Sequence, residues 1–183
     1  MKKYNVTVLV GSLRKDSHNL KLAKAIGQLG HDKLDLHIAT IADVPPYNQD
    51  LDNVLPAPVV RLKSDIEKAD AILFVTPEYN RSVPGVLKNA IDWASRPYGK
   101  NSFSKKPAAL CGASVGAIGT ACAQQALKPT FSYLDMSLMG TPEVYIQFKE
   151  NSIDPDGKIN DTDLKKFLQG YVDQFIAWIE KQK

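Results

Sequence analysis

Two hydrophobic periods take turns along this chain. Asn5–Val10 is an apolar run rich in β-branched residues that stops at Gly11, the pattern of a strand. Leu22, Ala25, Ile26 and Leu29 then recur at helical spacing and predict one apolar helix face. Leu34–Thr40 predicts a second strand, and the passage after it, with Pro45, Pro46, Pro56 and Pro58, must be a loop. Val59, Leu62, Ile66 and Ala69 mark the next helix. Ala71–Thr76 is a continuous apolar strand of the kind that parallel sheets bury on both faces. Val83, Val86, Leu87, Ala90, Ile91 and Ala94 restore the helical stripe, with Pro84 tolerated in the first turn. Pro107–Cys111 predicts a fourth strand, about Gly119 to Tyr133 a helix, and Glu143–Phe148 a fifth strand. In the last helix Leu164, Phe167, Leu168, Tyr171, Val172, Phe175, Ile176 and Ile179 hold one face, with Asn160 or Thr162 placed to cap it.

Five strand–helix units in series, without repeats or linkers, imply an α/β domain with a parallel sheet covered on both faces, a three-layer sandwich. The 183 residues are enough for one core, so residues 1–183 are expected to form a single domain. Right-handed crossovers leave few topologies, and a five-stranded sheet in the flavodoxin-like order 2-1-3-4-5 is the expected one. Ligands of such sheets sit beyond the carboxyl ends of the strands, near the switch between strands 1 and 3. That rule singles out three loops: Gly11–Asn19, Pro77–Pro84 and Gly112–Gly119.

Composition narrows the classes further. A hydrophobic fraction of 44% and a charged fraction of 23% exclude a disordered or fibrous chain. The net charge of +3 is carried by scattered lysines, which argues against nucleic acid as a partner and leaves room for a small anion. Cys111 and Cys122 are too few for a disulfide framework or a metal cluster, and neither demands an oxidising compartment. The apolar stretch after Met1-Lys2-Lys3 is too short for an export signal, and the run Ala71–Val75 is far below a membrane span. A cytoplasmic protein without a membrane partner is expected.

The first loop, Gly11-Ser12-Leu13-Arg14-Lys15-Asp16-Ser17-His18-Asn19, joins a strand to a helix. Backbone N–H groups, the Ser12 and Ser17 hydroxyls, the Asn19 amide and the Arg14 guanidinium are suitable donors for a phosphate, and the helix N-terminus adds its positive dipole end. Neither G-x-x-x-x-G-K-[ST] nor G-x-G-x-x-G is present, so the pattern points to a monophosphate rather than a triphosphate or a dinucleotide. In the second loop, Pro77-Glu78-Tyr79-Asn80, proline fixes a turn that can present backbone groups to a flat heterocycle; Tyr79 can pack near a ring and Asn80 can read its edge. The third loop begins Gly112-Ala113-Ser114, and its small residues allow backbone to approach a ligand.

Gly-Ser-Leu-Arg at 11–14 with Ser17 and Asn19, followed by Pro77-Glu78-Tyr79-Asn80, Ser82, Pro84-Gly85 and Leu87-Lys88-Asn89-Ala90-Ile91-Asp92-Trp93, resembles the two motifs of the NADPH-dependent FMN reductases. The resemblance implies a flavodoxin-like fold, noncovalent FMN, and NAD(P)H-driven reduction of quinone, flavin, azo or chromate-type acceptors. By the same resemblance Ser12, Arg14, Ser17 and Asn19 hold the FMN phosphate, with His18 at the site through its backbone. Pro77, Glu78, Tyr79 and Asn80 line the isoalloxazine, and Gly112 and Ser114 close the far side. The helix Val83–Pro97, centred on Asn89, Asp92 and Trp93, is the expected homodimer contact. This chain has Asp16 where relatives often carry a small residue, His18 where they often carry an aromatic, and Lys128 where many carry arginine. These departures bear on oligomer contacts and acceptor preference.

The resemblance also implies a mechanism in which a hydride passes from NAD(P)H to flavin N5 and the acceptor then uses the same face, giving ping-pong kinetics. The flavin carries that chemistry, so no side chain is required as acid or base, in keeping with a sequence that has no Ser/His/Asp or Cys/His constellation. An electron carrier without turnover is the main rival, but such carriers tend to be acidic, whereas Arg14, Lys15 and Arg81 sit in these loops. A flavin-binding regulatory module is the other rival. Ser152, Asp154, Asp156, Gly157, Ile159 and Asp163 fall on the offsets of a calcium loop, yet the first ligand is serine and the last aspartate. A polar turn is the expected structure there, and no metal site is expected anywhere.

Overall fold

The computed structural model describes residues 3–182; Met1 and Lys2, where the reading of the N-terminus begins, and Lys183 lie outside the described residues. Strands β1 (Tyr4–Val10), β2 (Leu34–Ile38), β3 (Ala71–Val75) and β4 (Pro107–Ser114) lie parallel in the order β2-β1-β3-β4. The register is regular, with Val6 beside Leu36 and Ala71, and Phe74 beside Leu110. Helices α1 (His18–Leu29) and α5 (Thr162–Lys181) cover one face; α2 (Ala57–Lys68), α3 (Gly85–Ala94) and α4 (Ala121–Tyr133) cover the other.

The alternation of each strand sorts its side chains between these layers. Val8, Val10, Leu73 and Val75 pack with Leu22 and Ile26 of α1 and Phe175 of α5. Leu9, Ile72 and Phe74 pack with Leu62 of α2, Ile91 of α3 and Phe131 of α4. Both sets are buried, which is why these strands read as unbroken apolar runs.

The expected single fifth strand is two strands. After α4 the chain pairs with the start of β4 through β5 (Ser137–Leu138, opposite Pro107 and Ala108). It leaves over Met139–Glu143, then returns as β6 (Val144–Gln147) beside Cys111–Ser114. Pro142, which has no N–H to give a ladder, lies in the gap. β4 itself runs on to Ser114, beyond the expected Cys111, because β6 supplies a partner for its small residues. The last helix is capped by Asp161, whose Oδ1 accepts from the Leu164 N–H at 2.9 Å, and by neither Asn160 nor Thr162. Asn160 is committed elsewhere, donating to Asn151 O and Asp154 Oδ1.

That second bond belongs to the polar turn that mimics a calcium loop. Ile153 bridges Ile159, the Asp154 N–H donates to Lys158 O, and the Gly157 N–H donates back to Asp154 O. Among the described residues no His, Cys, Asp or Glu cluster has the geometry of a metal site, and no helix is long and apolar enough to cross a membrane.

Candidate active site

The first loop ends where Ser17 caps α1, its hydroxyl accepting the Leu20 N–H at 3.2 Å. The first N–H groups of a helix have no acceptor within it, and beyond Leu20, which Ser17 satisfies, those at the start of α1 are open to an anion. Arg14 stands beside them with 58% of its side chain exposed, and its Nη2 donates to the Asp16 carbonyl. The same Nη2 lies 3.3 Å from His18 Nε2. Lys21 reaches back from α1 to Asp16 at 2.6 Å, and this bond holds the Asp16 carboxyl below its ordinary range, with Arg14 and His18 acting in the same direction. His18 stacks on Phe148 at the end of the edge strand, ring centroids 4.0 Å apart, and its Nδ1 is buried without a partner.

Asn19 is buried, and its amide clasps the far side of the site: Nδ2 donates to Ala113 O and Oδ1 accepts from the Ala113 N–H, both at 2.9 Å. The amide therefore joins α1 to the end of β4, with one Nδ2 hydrogen left over. Glu78 also ties elements together. Its Oε2 accepts the Ala123 N–H in the first turn of α4 at 3.1 Å, where Thr120 supplies no side-chain cap, and Oε1 faces Arg81 at 3.5 Å.

Tyr79 and Ser82 exchange two backbone hydrogen bonds, and the residues between them, Asn80 and Arg81, have φ of 53° and 62°. Two positive φ values inside a two-residue hairpin make a type I′ turn, a conformation that favours asparagine. Asn80 is thus explained by the turn; it is exposed and lies outside the cleft lining. Gly112 is buried outside the lining too. A Cβ there would come within 2.2 Å of Thr76 O, so the residue lets β3 and β4 end side by side. Gly119, at φ 64°, presses in the same way against Tyr145 and Ile146 of β6.

The remaining predicted residues converge. Ser12, Arg14, Ser17, His18, Asn19, Pro77, Glu78, Tyr79 and Ser114 line one cleft of about 210 Å³ at the carboxyl ends of β1, β3 and β4. Ala113 and Val115 complete the wall, and Phe148 backs it through His18. Sequence reasoning passed over Phe148, although it follows β6 and therefore sits at the same end of the sheet.

The sequence profile of the NADPH-dependent FMN reductases matches residues 4–151. The chain belongs to that family. It is 47% identical over 178 residues to a 2-hydroxy-1,4-benzoquinone reductase of Burkholderia sp, covering 97% of both chains. A quinone reductase of Pseudomonas putida is 46% identical over 178 residues, 97% of this chain and 95% of its own length. The solved structure of FerB, a flavoenzyme NAD(P)H:(acceptor) oxidoreductase from Paracoccus denitrificans, superposes with a TM-score of 0.94 at 51% identity over 98% of each chain. This member of the FMN reductases is accordingly a flavodoxin-like oxidoreductase with FMN as cofactor and NAD(P)H as co-substrate. Its own residues fit that cofactor. The Ser12 and Ser17 hydroxyls and the Arg14 guanidinium give the cleft lining hydrogen-bonding groups suited to a phosphate, and Pro77, Tyr79 and Val115 give it apolar surface suited to a flat ring.

Proposed function

We propose that this protein oxidises NAD(P)H and reduces quinones, with flavin, azo and chromate-type compounds as further acceptors, by a ping-pong mechanism on a single FMN. The observation that carries this reading is the meeting of three loops in one cleft lined both by Ser12, Arg14 and Ser17 and by Pro77, Tyr79 and Val115. FMN, when bound, would supply the two-electron redox chemistry between NAD(P)H and the acceptor. Ser12, Ser17 and Arg14 hold the phosphate, with the backbone N–H groups of His18 and Asn19 at the start of α1. Charge-assisted bonds from a guanidinium are the strongest of these. Pro77 and Tyr79 would hold the ring, with the peptide groups from Pro77 to Tyr79 available to its edge. Glu78 acts one step removed, locking that loop to α4, and Ser114 with Val115 bounds the far side. Tyr79, 49% exposed, leaves room beside the ring for the nicotinamide and then for the acceptor.

Steady-state NAD(P)H oxidation with a soluble benzoquinone tests the reading. Parallel double-reciprocal lines as the quinone is varied are expected. Intersecting lines mean that both substrates bind together and contradict the shared-face mechanism.

We also infer a cytoplasmic homodimer. Free Cys111 and Cys122 suit a reducing compartment. The support for the dimer is exposed surface on α2 and α3 and just beyond: Val60 is 53% exposed, Tyr98 86%, and the Lys88–Asp92 pair is partly exposed. Light scattering at micromolar concentration should give twice the chain mass, and the monomer mass would remove the inference.

A further inference from the structure

The His18 ring is unused by the phosphate site as so far described, since only its backbone is assigned there. Yet it lines the cleft, and its surroundings are unusual. One face is stacked on Phe148, so the ring is fixed rather than free in solvent. Nε2 lies 3.3 Å from Arg14 Nη2. A guanidinium nitrogen can only donate, so Nε2 accepts and the neutral ring carries its hydrogen on Nδ1. That Nδ1 is buried without an acceptor, which leaves Nε2, beside Arg14, as the nitrogen the ring has to offer a ligand.

From these contacts we infer that the His18 imidazole is a ligand of the FMN phosphate and that it takes up a proton as FMN binds. The inference rests on the phosphate assignment made above and adds a pH dependence to it. In the free protein three charged groups face the ring. Arg14 from the same loop and Lys21 from α1 oppose a proton on it, and Asp16 favours one. Burial works in the same direction as the two cations and is the largest effect, so the free ring holds its proton below the ordinary histidine range. Phe148, from the edge strand, adds no charge. A phosphate dianion in the cleft reverses the balance: it draws Arg14 to itself, frees Nε2, and favours the imidazolium as the opposite charge at close range. The proton comes from solvent, the phosphate keeps its own charge, and no bond other than N–H is made.

The sign of the effect follows. The gain from His18 is fully present where the ring is protonated in both states, and it disappears as pH rises through the value of the bound state. FMN itself titrates near pH 6, so affinity alone is ambiguous, whereas the ratio between two proteins is not. FMN dissociation constants are read from the fluorescence released on diluting the holoprotein between about pH 5.5 and 8.5, a span that brackets the ordinary histidine value. The comparison is wild type against His18→Phe, which keeps the stack on Phe148. His18→Gln, which keeps a neutral donor, serves if phenylalanine at 18 does not fold.

Wild type should hold FMN about tenfold more tightly than the variant at the acid end, the low end for one charge-assisted hydrogen bond. The ratio should narrow to about threefold or less at the alkaline end, where only a neutral bond remains. Riboflavin, which has no phosphate, should show a flat ratio. If both proteins keep FMN and their ratio is flat with pH, the inference about His18 is overturned and the phosphate site stands. If wild type binds FMN no better than riboflavin at any pH, the phosphate assignment itself fails.

Discussion

Arg14 is the residue on which the cofactor assignment leans most. More than half of its side chain is exposed, and among the described residues its acceptors are its neighbours Asp16 and His18, so it contributes little to the fold. Charge-assisted hydrogen bonds are worth roughly 1.5–3 kcal/mol each, and Arg14→Ala should weaken FMN binding by about ten- to a hundredfold. The melting temperature of the flavin-free protein should move by no more than about 2 °C, because surface changes of this kind cost under about 0.5 kcal/mol. Titration of apoprotein with FMN, beside a thermal melt, checks both. A variant that keeps its flavin but melts early makes Arg14 structural. The thiols supply a contrast. Burial pushes the Cys111 thiol up to about 12, so it stays protonated and inert, and nothing redox-active is expected of it.

At the scale of elements, α3 shows how one motif can serve a different end from the one its residues suggest. Asn89 and Trp93 resemble an intersubunit patch, but here both hold the proline-rich passage against the domain. Trp93 is fully buried and its Nε1 donates to Pro45 O at 2.7 Å, while Asn89 accepts the Tyr47 N–H at 2.8 Å and donates to Pro45 O at 2.9 Å. Asp52 secures the same passage by pairing with Arg96 at 2.6 Å. Trp93→Phe leaves a small cavity and removes one of the two hydrogen bonds to Pro45 O, a loss of about 2 kcal/mol. That corresponds to a fall of roughly 4–8 °C in melting temperature for a chain of this length. The fall should be the same at all protein concentrations. A loss that grows on dilution would place Trp93 in a subunit contact instead. Any dimer that forms on this side must use the outward residues Lys88, Asp92 and Val60, not the motif's tryptophan.

Across the whole molecule, the parallel order of the first four strands was legible because each is a buried apolar run followed by a helical stripe, and right-handed crossovers leave few arrangements. The edge was not legible. Two residues at Ser137–Leu138 are too short to show a period, and their pairing depends on β4 being longer than its own pattern indicates. The cleft was legible as three loops because topology alone decides which strand ends meet. Within it, Ser12, Arg14 and Ser17, chosen for their charge and hydroxyl chemistry, do line the cleft. Roles set by backbone geometry were hidden: Asn80 answers to a type I′ turn, Gly112 to the approach of Thr76, and Glu78 to the first turn of α4. A side chain chosen for a conformation and one chosen for a ligand look alike until the φ angle or the partner is known.

In the mechanism proposed for this protein, the three loops assemble around one FMN that is reduced and reoxidised in separate half-reactions. Anaerobic mixing of the holoprotein with NAD(P)H alone, followed by its visible absorbance, tests this most directly. One equivalent of NAD(P)H should bleach the flavin without any acceptor present, and subsequent addition of benzoquinone should restore the colour in full. Flavin that stays oxidised under NAD(P)H until quinone is added, or never bleaches at all, would contradict the claim and leave a flavin-binding protein without this activity.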